Sequence, residues 1–277
     1  MDRIATPRHY LMCKPTFFEV SYEINPWMDV TVATDAELAV AQWEVLRDTY
    51  LSWGHTLEFI DPVPGLPDMV YAANGATVID GLVYSAKFRY AERAPEGPLY
   101  QKWFADAGFV THTAAEVNEG EGDILMVGDD ILAGWGFRTD IASHAELARL
   151  TGRTVVSLEL VNPHYYHLDT ALTVLDSDPA HPLVAYHPAA FSPASQQVLA
   201  ERYPDALHID DADAGHLGLN AVSDGLNVVV APGAVGLAAA LRERGFRPHP
   251  VDTSELLKGG GGAKCCTLEI RTAAGAR

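Results

Sequence analysis

Pairs of short apolar runs, each pair interrupted by a turn, recur along the chain. The runs at residues 76–79 and 82–84 flank Asp80 and Gly81, a dipeptide that is typical of β-hairpin turns. Three later segments repeat this arrangement. The acids at the four turns are Asp80, Asp129, Asp176 and Asp224, which are 49, 47 and 48 positions apart. The spacing indicates an internal repeat of about 48 residues, a length typical of propellers and arrays.

A helical pattern follows each hairpin, and a short apolar strand follows most of the helices. The helical segments are 99–107, 141–150, 193–203 and 235–244. The repeating unit is therefore a hairpin, a helix and a strand, and it occurs four times. A fifth unit is complete only if the C-terminal segment 266–271 joins the N-terminal strand, the helix that begins after Asp35 and residues 57–60.

One such unit cannot bury its own apolar face, so its stability requires packing against neighbouring units. We therefore predict an α/β fold in which residues 1–277 form a single domain. Its architecture would be a five-bladed propeller with pseudo-fivefold symmetry, in which ββαβ units close into a ring. The alternative is a generic mixed α/β sheet in which the spacing of the turns is coincidental.

The charge and composition of the chain narrow the classes of partner. The 277 residues carry a formal net charge of -18, which disfavours nucleic acids and anionic membranes because few cations are available to neutralise phosphates. No apolar run is long enough to span a bilayer, and the N-terminal segment does not resemble a secretory signal. The three cysteines include an adjacent pair, which suits a reducing compartment. We expect a cytoplasmic protein whose partner is a small molecule.

Polar residues stand at the start of every hairpin, in positions that we call the hairpin entrances. They are Asn74, Glu121 with Asp123, His167 with Asp169, Asn220 and Cys265. In a closed ring these positions are equivalent and face one another near the axis. Taken singly, each residue is also explained as a core or turn residue. Their shared position in the repeat is what predicts a common site.

A thiol, an imidazole and several carboxylates at one site suggest a covalent hydrolase. The Cys265 thiolate would be the nucleophile and His167 the proton shuttle, while the carboxylates would bind a planar cation. The cation that also offers an electrophilic carbon is guanidinium, and attack on it gives a thiouronium that water hydrolyses. We expect neither a metal nor a cofactor, since the chain has no Cys-x-x-Cys and Lys264 is not followed by the Ser or Thr of a phosphate-binding loop.

Four motifs resemble the guanidine-modifying, or amidinotransferase-like, superfamily. They are His167-Leu-Asp169, Glu-Gly-x-Gly-Asp123, Leu66-Pro-Asp68-Met-Val-Tyr-x-x-Asn74 and Gly-Gly-x-x-Cys265-x-Thr267. Members of this superfamily include dimethylargininases, arginine deiminases, arginine dihydrolases and glycine amidinotransferases. The resemblance covers nearly the whole chain and implies the five-bladed propeller that the repeat predicts. It also implies that Cys265, and not Cys266, is the nucleophile.

The resemblance assigns roles to individual residues. It implies that His167 is the general acid and base and that Asp169 binds the guanidinium. Asp68 resembles the acid that contacts the substrate near its α-amino group. Arg89 and Arg138 resemble the arginines that hold the substrate carboxylate, although each is also explained as a surface arginine paired with a nearby glutamate.

The acidic motif departs from the usual Glu/Asp-Gly-Gly-Asp pattern by one residue. This leaves both Glu119 and Glu121 as candidates for the catalytic carboxylate of the site. We favour Glu121 as that residue, and we expect Asp123 to be a further acid that binds the substrate.

Two asparagines bear on the choice of substrate, and we expect both of them to bind it. Asn74 stands where dimethylargininases have an acid, and the stretch around Asn25 resembles arginine dihydrolases, which convert arginine to ornithine, carbon dioxide and ammonia. A neutral amide accepts both a charged guanidinium and a neutral ureido group, so a second round on citrulline becomes possible. We therefore expect a hydrolase of free or Nω-methylated arginine, and we favour hydrolysis of arginine to ornithine. Hydrolysis of dimethylarginine to citrulline, amidino transfer and non-catalytic binding of a cationic amino acid are the alternatives, in that order.

Overall fold

The computed structural model describes residues 3–272, in which the β-strands form five three-stranded sheets. Each sheet contains one antiparallel and one parallel pair of strands. The sheets comprise β1 (His9–Cys13), β2 (Thr56–Ile60) and β15 (Leu268–Glu269); β3 (Ala76–Ile79), β4 (Leu82–Ser85) and β5 (Val110–His112); β6 (Ile124–Val127), β7 (Asp130–Trp135) and β8 (Val155–Glu159); β9 (Leu172–Asp176), β10 (Leu183–Tyr186) and β11 (Leu207–His208); and β12 (Val222–Ser223), β13 (Asn227–Val230) and β14 (Arg247–Pro250).

Long helices connect the two parallel strands of each sheet. The α-helices are α1 (Ala36–Ser52), α2 (Glu96–Asp106), α3 (Ile141–Thr151), α4 (Leu168–Ala171), α5 (Pro193–Arg202), α6 (Asp211–Ala214), α7 (Val235–Glu243) and α8 (Ser254–Leu257). Of these, α1, α2, α3, α5 and α7 are the connections, which parallel neighbours require because a tight turn cannot join them. The predicted unit of a hairpin, a helix and a strand is therefore present in four of these sheets, and in the first sheet β15 and β1 form the antiparallel pair without a connecting turn. Across residues 3–272, no helix has the length and apolarity needed to cross a lipid bilayer.

The turn between β3 and β4 explains the Asp-Gly signal in the sequence. Asp80 has φ 52° and Gly81 has φ 82°, so both residues adopt the left-handed conformation. A type I′ turn requires this conformation at both central residues, and Asp-Gly is one of the pairs that tolerate it. The turn predicted at Asp80 is therefore present in the structure.

The first sheet is built from both ends of the described chain. Tyr10 lies opposite Glu269 and Leu11 opposite Leu268 in the antiparallel pairing of β1 with β15. The strand predicted over 266–271 is thus shorter than expected, because only two residues continue the ladder. The expected joining of the C-terminal strand to the N-terminal unit is nevertheless observed.

Apolar clusters fill the spaces between neighbouring sheets. Leu11, Val78 and Leu268 belong to the cluster between the first and second sheets. Tyr10 and Val229 belong to the cluster between the first and fifth sheets. The apolar face of one unit is therefore covered by the next, as expected for repeats that cannot fold alone.

We predict that Leu268→Ala lowers the free energy of unfolding by about 2–5 kcal/mol, because it removes buried methyl groups where β15 pairs with β1. Chemical denaturation followed by circular dichroism measures this change. Leu51→Ala is the control, since Leu51 is 50% exposed on α1 and its truncation should cost less than about 0.5 kcal/mol. Equal losses in the two variants would contradict a cooperative role for the last strand.

Candidate active site

The residues at the hairpin entrances lie close together in the interior. Those that are at most 2% exposed are Asn74, Glu121, Asp123, His167, Asp169 and Cys265. Gly122 passes so close to two of them that an added Cβ would lie 2.3 Å from Asn74 Nδ2 and 3.2 Å from His167 Nδ1. The entrances of different repeats therefore contribute side chains to one site.

Two side chains hold the Cys265 thiol. The thiol donates to Asp169 Oδ2 at 3.3 Å, and Asn220 Nδ2 donates to Sγ at 3.1 Å. Asn220 Oδ1 accepts from the backbone N–H groups of Gly262 and Cys265, at 3.0 and 3.1 Å. Asn220, which the sequence placed only at a hairpin entrance, thus fixes both the thiol and the loop that carries it.

Glu119 is the carboxylate that contacts the imidazole of His167. Glu119 Oε2 lies 2.8 Å from His167 Nε2 and 2.8 Å from Arg138 Nη1. Burial raises the pKa of Glu119, but Arg138 and the hydrogen bond from His167 lower it more, so its pKa lies well below the ordinary value. An ionised carboxylate can only accept, so Nε2 carries the proton and Nδ1 is the nitrogen free to exchange one.

Our expectation that Glu121 is the carboxylate of this pair is corrected by the structure. Glu121 instead binds Lys264 Nζ at 2.7 Å, the guanidinium of Arg271 and the backbone N–H of Glu269. The cause is Gly120, which has φ 55° and begins the 3-10 turn Gly120–Gly122. This turn directs the two glutamates to different partners.

Arg138 is a buried cation beside the His167 and Glu119 pair. Besides Glu119, it binds the carbonyl oxygen of Ile24 at 3.0 Å. Its guanidinium lies over the rings of Tyr90 and Tyr166, with distances of 4.8 and 4.7 Å to the centroids. These contacts hold its charge next to the His167 and Glu119 pair.

Arg89 lies outside the buried group, and Arg93 takes the inner position. Arg89 is 37% exposed at its side chain and pairs with Asp140. Arg93 is 3% exposed; it donates to Asn74 Oδ1 at 2.7 Å and pairs with Glu96 at 2.8 Å. The sequence reasoning missed Arg93, although its place three residues before a glutamate at the start of a helix was a signal for an ion pair.

Some of the buried polar atoms have no hydrogen-bond partner within residues 3–272. In the site they are Asp68 Oδ1, Asn74 Nδ2, Asp123 Oδ2, His167 Nδ1 and Asp169 Oδ1. Buried polar atoms nearly always have partners, so this concentration indicates a place for a polar ligand. Three of the five atoms are carboxylate oxygens, which favours a ligand rich in N–H donors. In the same range, no group of three His, Cys, Asp or Glu side chains is arranged to hold a metal ion.

Burial strongly affects the pKa values of Asp123, Asp169 and the Cys265 thiol. Burial raises the pKa of Asp169 to about 7 and that of Asp123 to about 6. Burial also raises the pKa of the Cys265 thiol well above its ordinary value, and the negative charge of Asp169 raises it further. A cation placed between the carboxylate and the thiol would reverse this effect, because an opposite charge favours the ionised forms.

The four glycines before Cys265 allow other side chains to pack against their backbone. Gly260 has φ +89°, and an added Cβ would lie 2.6 Å from Asn25 Oδ1 and 2.8 Å from the Tyr166 hydroxyl. Asn25 Nδ2 donates to the carbonyl oxygen of Gly259 at 3.1 Å. Asn25, which we expected to bind substrate, is therefore placed against the loop that carries the thiol.

We predict that Gly260→Ala destabilises the protein more than Gly245→Ala does. Both glycines have positive φ, which costs an alanine about 1–2 kcal/mol. No heavy atom lies within 4 Å of an added Cβ at Gly245, whereas Gly260 adds the clash with Asn25 and Tyr166, worth about 1–3 kcal/mol. Thermal and chemical denaturation measure the difference, and equal destabilisation would show that the close approach at Gly260 is not constraining.

No family model matches the chain. It is 54% identical over 268 residues to the N(G),N(G)-dimethylarginine dimethylaminohydrolase of Mycobacterium tuberculosis, a match that covers 97% of this chain and 87% of that protein. It is 35% identical to the bifunctional arginine dihydrolase/ornithine cyclodeaminase ArgZ of Synechocystis. That match covers 94% of this chain but 37% of ArgZ, so the similarity is to one part of a longer protein.

Solved structures of an arginine dihydrolase and of a dimethylarginine dimethylaminohydrolase also resemble this chain. The N-terminal domain of ArgZ, crystallised as a cysteine-to-serine variant bound to substrate, superposes with a TM-score of 0.91 at 33% identity and covers 96% of this chain and 98% of that one. A dimethylarginine dimethylaminohydrolase adduct has a TM-score of 0.75 at 18% identity, which supports the fold. The chain belongs to the dimethylarginine dimethylaminohydrolase family of the guanidine-modifying superfamily.

Proposed function

We propose that this protein is a cysteine-dependent hydrolase of C–N bonds in the guanidinium group of a free arginine-type amino acid. The observation that carries the proposal is one buried site that combines the Cys265 thiol, the His167 and Glu119 pair and unpaired carboxylate oxygens. A guanidinium supplies both the N–H donors that these oxygens require and an electrophilic carbon for the thiol.

The charges of the site suit an amino acid that carries a guanidinium. Asp169 Oδ1 is available to the guanidinium beside the thiol, and Asp68 Oδ1 is available to an α-amino group. Arg93 and Arg138 are the buried cations that would attract the α-carboxylate. Arg93 takes over the role that we had expected of Arg89, which faces solvent and pairs with Asp140.

The reaction begins when the bound cation favours ionisation of the thiol, whose proton passes to Nδ1 of His167. Cys265 Sγ attacks the guanidinium carbon, and His167 delivers a proton from Nδ1 to the departing nitrogen, so that ammonia or an alkylamine leaves. The product is a thiouronium on Cys265. Water then attacks the same carbon, His167 accepts its proton, and the C–S bond breaks to release citrulline. Glu119 stabilises the imidazolium form at both stages.

We further propose that arginine is the substrate and that hydrolysis continues to ornithine, carbon dioxide and ammonia. The support is the orientation of Asn74. Its Oδ1 must face Arg93, which only donates, so the unpaired group is the Nδ2 donor. An N–H donor suits the ureido oxygen of citrulline, the substrate of a second round. An asparagine-to-serine variant of the ArgZ domain has been captured covalently bonded to a reaction intermediate.

Hydrolysis of dimethylarginine to citrulline and dimethylamine is the second candidate. It is favoured by the 54% identity to the Mycobacterium tuberculosis dimethylaminohydrolase, which exceeds the 35% identity to ArgZ. The reaction uses the same thiol, imidazole and carboxylates and differs in the amine that leaves. The identity of the released amine therefore distinguishes the two candidates.

We also propose that the five units form one domain that closes into a five-bladed propeller. The support is the cluster shared by the first and fifth sheets, which includes Met12 of β1 and Val222 of β12. Sheets that are consecutive along the chain share similar clusters, such as the one that contains Ile79 and Ile124. A closed ring would keep the hairpin entrances around one axis.

We predict that the protein converts arginine to ornithine and that Cys265→Ser lowers turnover by more than about a thousandfold, because the nucleophile is lost. The assay incubates the enzyme with arginine, citrulline or dimethylarginine and identifies amino acids and amines by mass spectrometry. Cys266→Ala is the matched control, because it removes the adjacent thiol and should retain turnover. Full activity of Cys265→Ser would exclude the thiol mechanism, and dimethylamine release without ornithine would favour the second candidate.

We predict that Asn74→Asp still forms citrulline from arginine but yields little ornithine. The carboxylate would accept from a guanidinium but could not donate to the ureido oxygen. The measured quantity is the ratio of ornithine to citrulline at equal arginine consumption. Asn162→Asp is the control, since Asn162 caps the turn Pro163–Tyr165 and an aspartate can cap it equally well. An unchanged ratio in Asn74→Asp would remove the reason for favouring ornithine.

A further inference from the structure

The side chain of Asn220 is held in a single orientation. Its Oδ1 accepts from the backbone N–H groups of Gly262 and Cys265, at 3.0 and 3.1 Å. Backbone N–H groups only donate, so the amide oxygen must face them and the amide nitrogen must face the other way. Nδ2 consequently donates to Cys265 Sγ and to the carbonyl oxygen of Asp169, each at 3.1 Å. The chain thus fixes an N–H donor against the sulfur.

The backbone of Asn220 is held as firmly as its side chain. Its N–H donates to the carbonyl oxygen of Leu217 at 2.9 Å, and its carbonyl oxygen accepts from the N–H of Lys264 at 3.2 Å. Leu217 has φ 49° and is 2% exposed. A buried leucine in the left-handed conformation is strained, and such residues cluster at functional sites. The turn that presents Asn220 to the thiol therefore carries a backbone cost that a purely structural turn would avoid.

Ionisation of the thiol changes the two side-chain hydrogen bonds of the sulfur in opposite ways. The neutral thiol donates to Asp169 Oδ2 at 3.3 Å, and a thiolate has no proton with which to make this contact. The bond from Asn220 remains and becomes stronger, because an N–H group binds an anion more tightly than a neutral acceptor. Asn220 therefore favours the thiolate over the thiol.

The thiolate requires such a donor because the sulfur is buried. Cys265 is 1% exposed, and burial raises the pKa of its thiol well above the ordinary value, with a further rise caused by Asp169. The other titratable side chains whose charges act on this thiol have no positively charged form, and they are Cys266, Tyr71 and Tyr166. Within residues 3–272, the side chain that donates a hydrogen bond to Sγ is Asn220.

We propose that Asn220 is a catalytic residue that stabilises the Cys265 thiolate through the N–H group that it donates to the sulfur. The inference rests on the proposed function for the reaction in which this thiolate takes part. The N–H group acts at two stages of that reaction. It stabilises the thiolate that attacks the guanidinium carbon, and it stabilises the sulfur again when the C–S bond of the thiouronium breaks and its electron pair stays on sulfur.

The test measures how fast iodoacetamide alkylates Cys265 at several pH values, with mass spectrometry to locate the label. Alkylation requires the thiolate, so its rate follows the ionised fraction. Asn220→Leu removes the donor without adding charge and should slow this alkylation by about tenfold to hundredfold. Asn227→Leu is the matched control and should leave the rate unchanged, since the Asn227 side chain lies on β13 and donates to Asp224 at 2.8 Å.

A second variant, Asn220→Asp, separates donation to the sulfur from the positioning of the loop. This distinction matters because the backbone N–H of Gly262 also lowers the pKa of the thiol, and Asn220 Oδ1 holds that N–H. The aspartate keeps an acceptor for the loop but has no N–H for the sulfur, and its charge disfavours the thiolate further. It should slow alkylation at least as much as Asn220→Leu, and it decides the test if Asn220→Leu does not fold.

Turnover gives a further measurement. With arginine as the substrate, Asn220→Leu should lower kcat by about tenfold to hundredfold and change KM by less than about threefold. The reason is that Asn220 contacts the nucleophile, whereas the unpaired oxygens available to the substrate belong to Asp68, Asp123 and Asp169.

The direction of the change in alkylation decides between the two roles of Asn220. A residue that only holds the loop would, when replaced, expose the buried thiol and speed its alkylation. Faster or unchanged alkylation of Asn220→Leu, or an unchanged rate in Asn220→Asp, would therefore overturn the inference. If the unmodified enzyme hydrolyses none of the guanidino substrates but Asn220→Leu still slows alkylation, the proposed function fails while the stabilisation of the thiolate by Asn220 stands.

Discussion

The antiparallel pairing of β15 with β1 is the contact on which the rest of the site depends. It adds a two-residue strand from the C-terminal part of the chain to a sheet that begins near the N-terminus. Cys265 consequently lies just before β15, as Asn74 lies before β3 and Asp169 before β9. Four glycines precede this cysteine, and such a flexible segment would not position a thiol by itself. The strand pairing and the contacts of Asn220 supply the rigidity that the loop lacks.

The site is an interior rich in charge, and its stability requires that most of these charges have partners. Glu119 pairs with Arg138, Arg93 with Glu96, and Glu121 with Arg271. A buried ion without such a partner would cost several kcal/mol in desolvation. The oxygens without partners belong to Asp68, Asp123 and Asp169. These oxygens are therefore free to accept hydrogen bonds from a cationic ligand.

Features that depend on spacing could be predicted from the sequence. The repeat, the turn at Asp80 and the meeting of Cys265 with Asp169 follow from the period of about 48 residues. Features that depend on one backbone angle or on an irregular loop could not. Arg89 and Arg93 both lie between β4 and α2, in a segment without periodicity that would indicate which side chain points inward. The ion pair with Glu96 holds Arg93 in the buried position, and this pair could be identified only from the fold.

The positive φ of Gly120 has a mechanical consequence. An added Cβ at Gly120 would lie 2.7 Å from the carbonyl oxygens of Ala73 and Ala76, so this turn is wedged against the neighbouring entrance. Glu119 leaves one side of the turn toward the imidazole, and Glu121 leaves the other toward Lys264. The turn therefore carries one carboxylate on each side, and any movement of the turn displaces both. A displacement of Gly120 would disturb the contact of Glu119 with His167 and the ion pair of Glu121 with Lys264 together, so the two contacts cannot be adjusted independently through this loop.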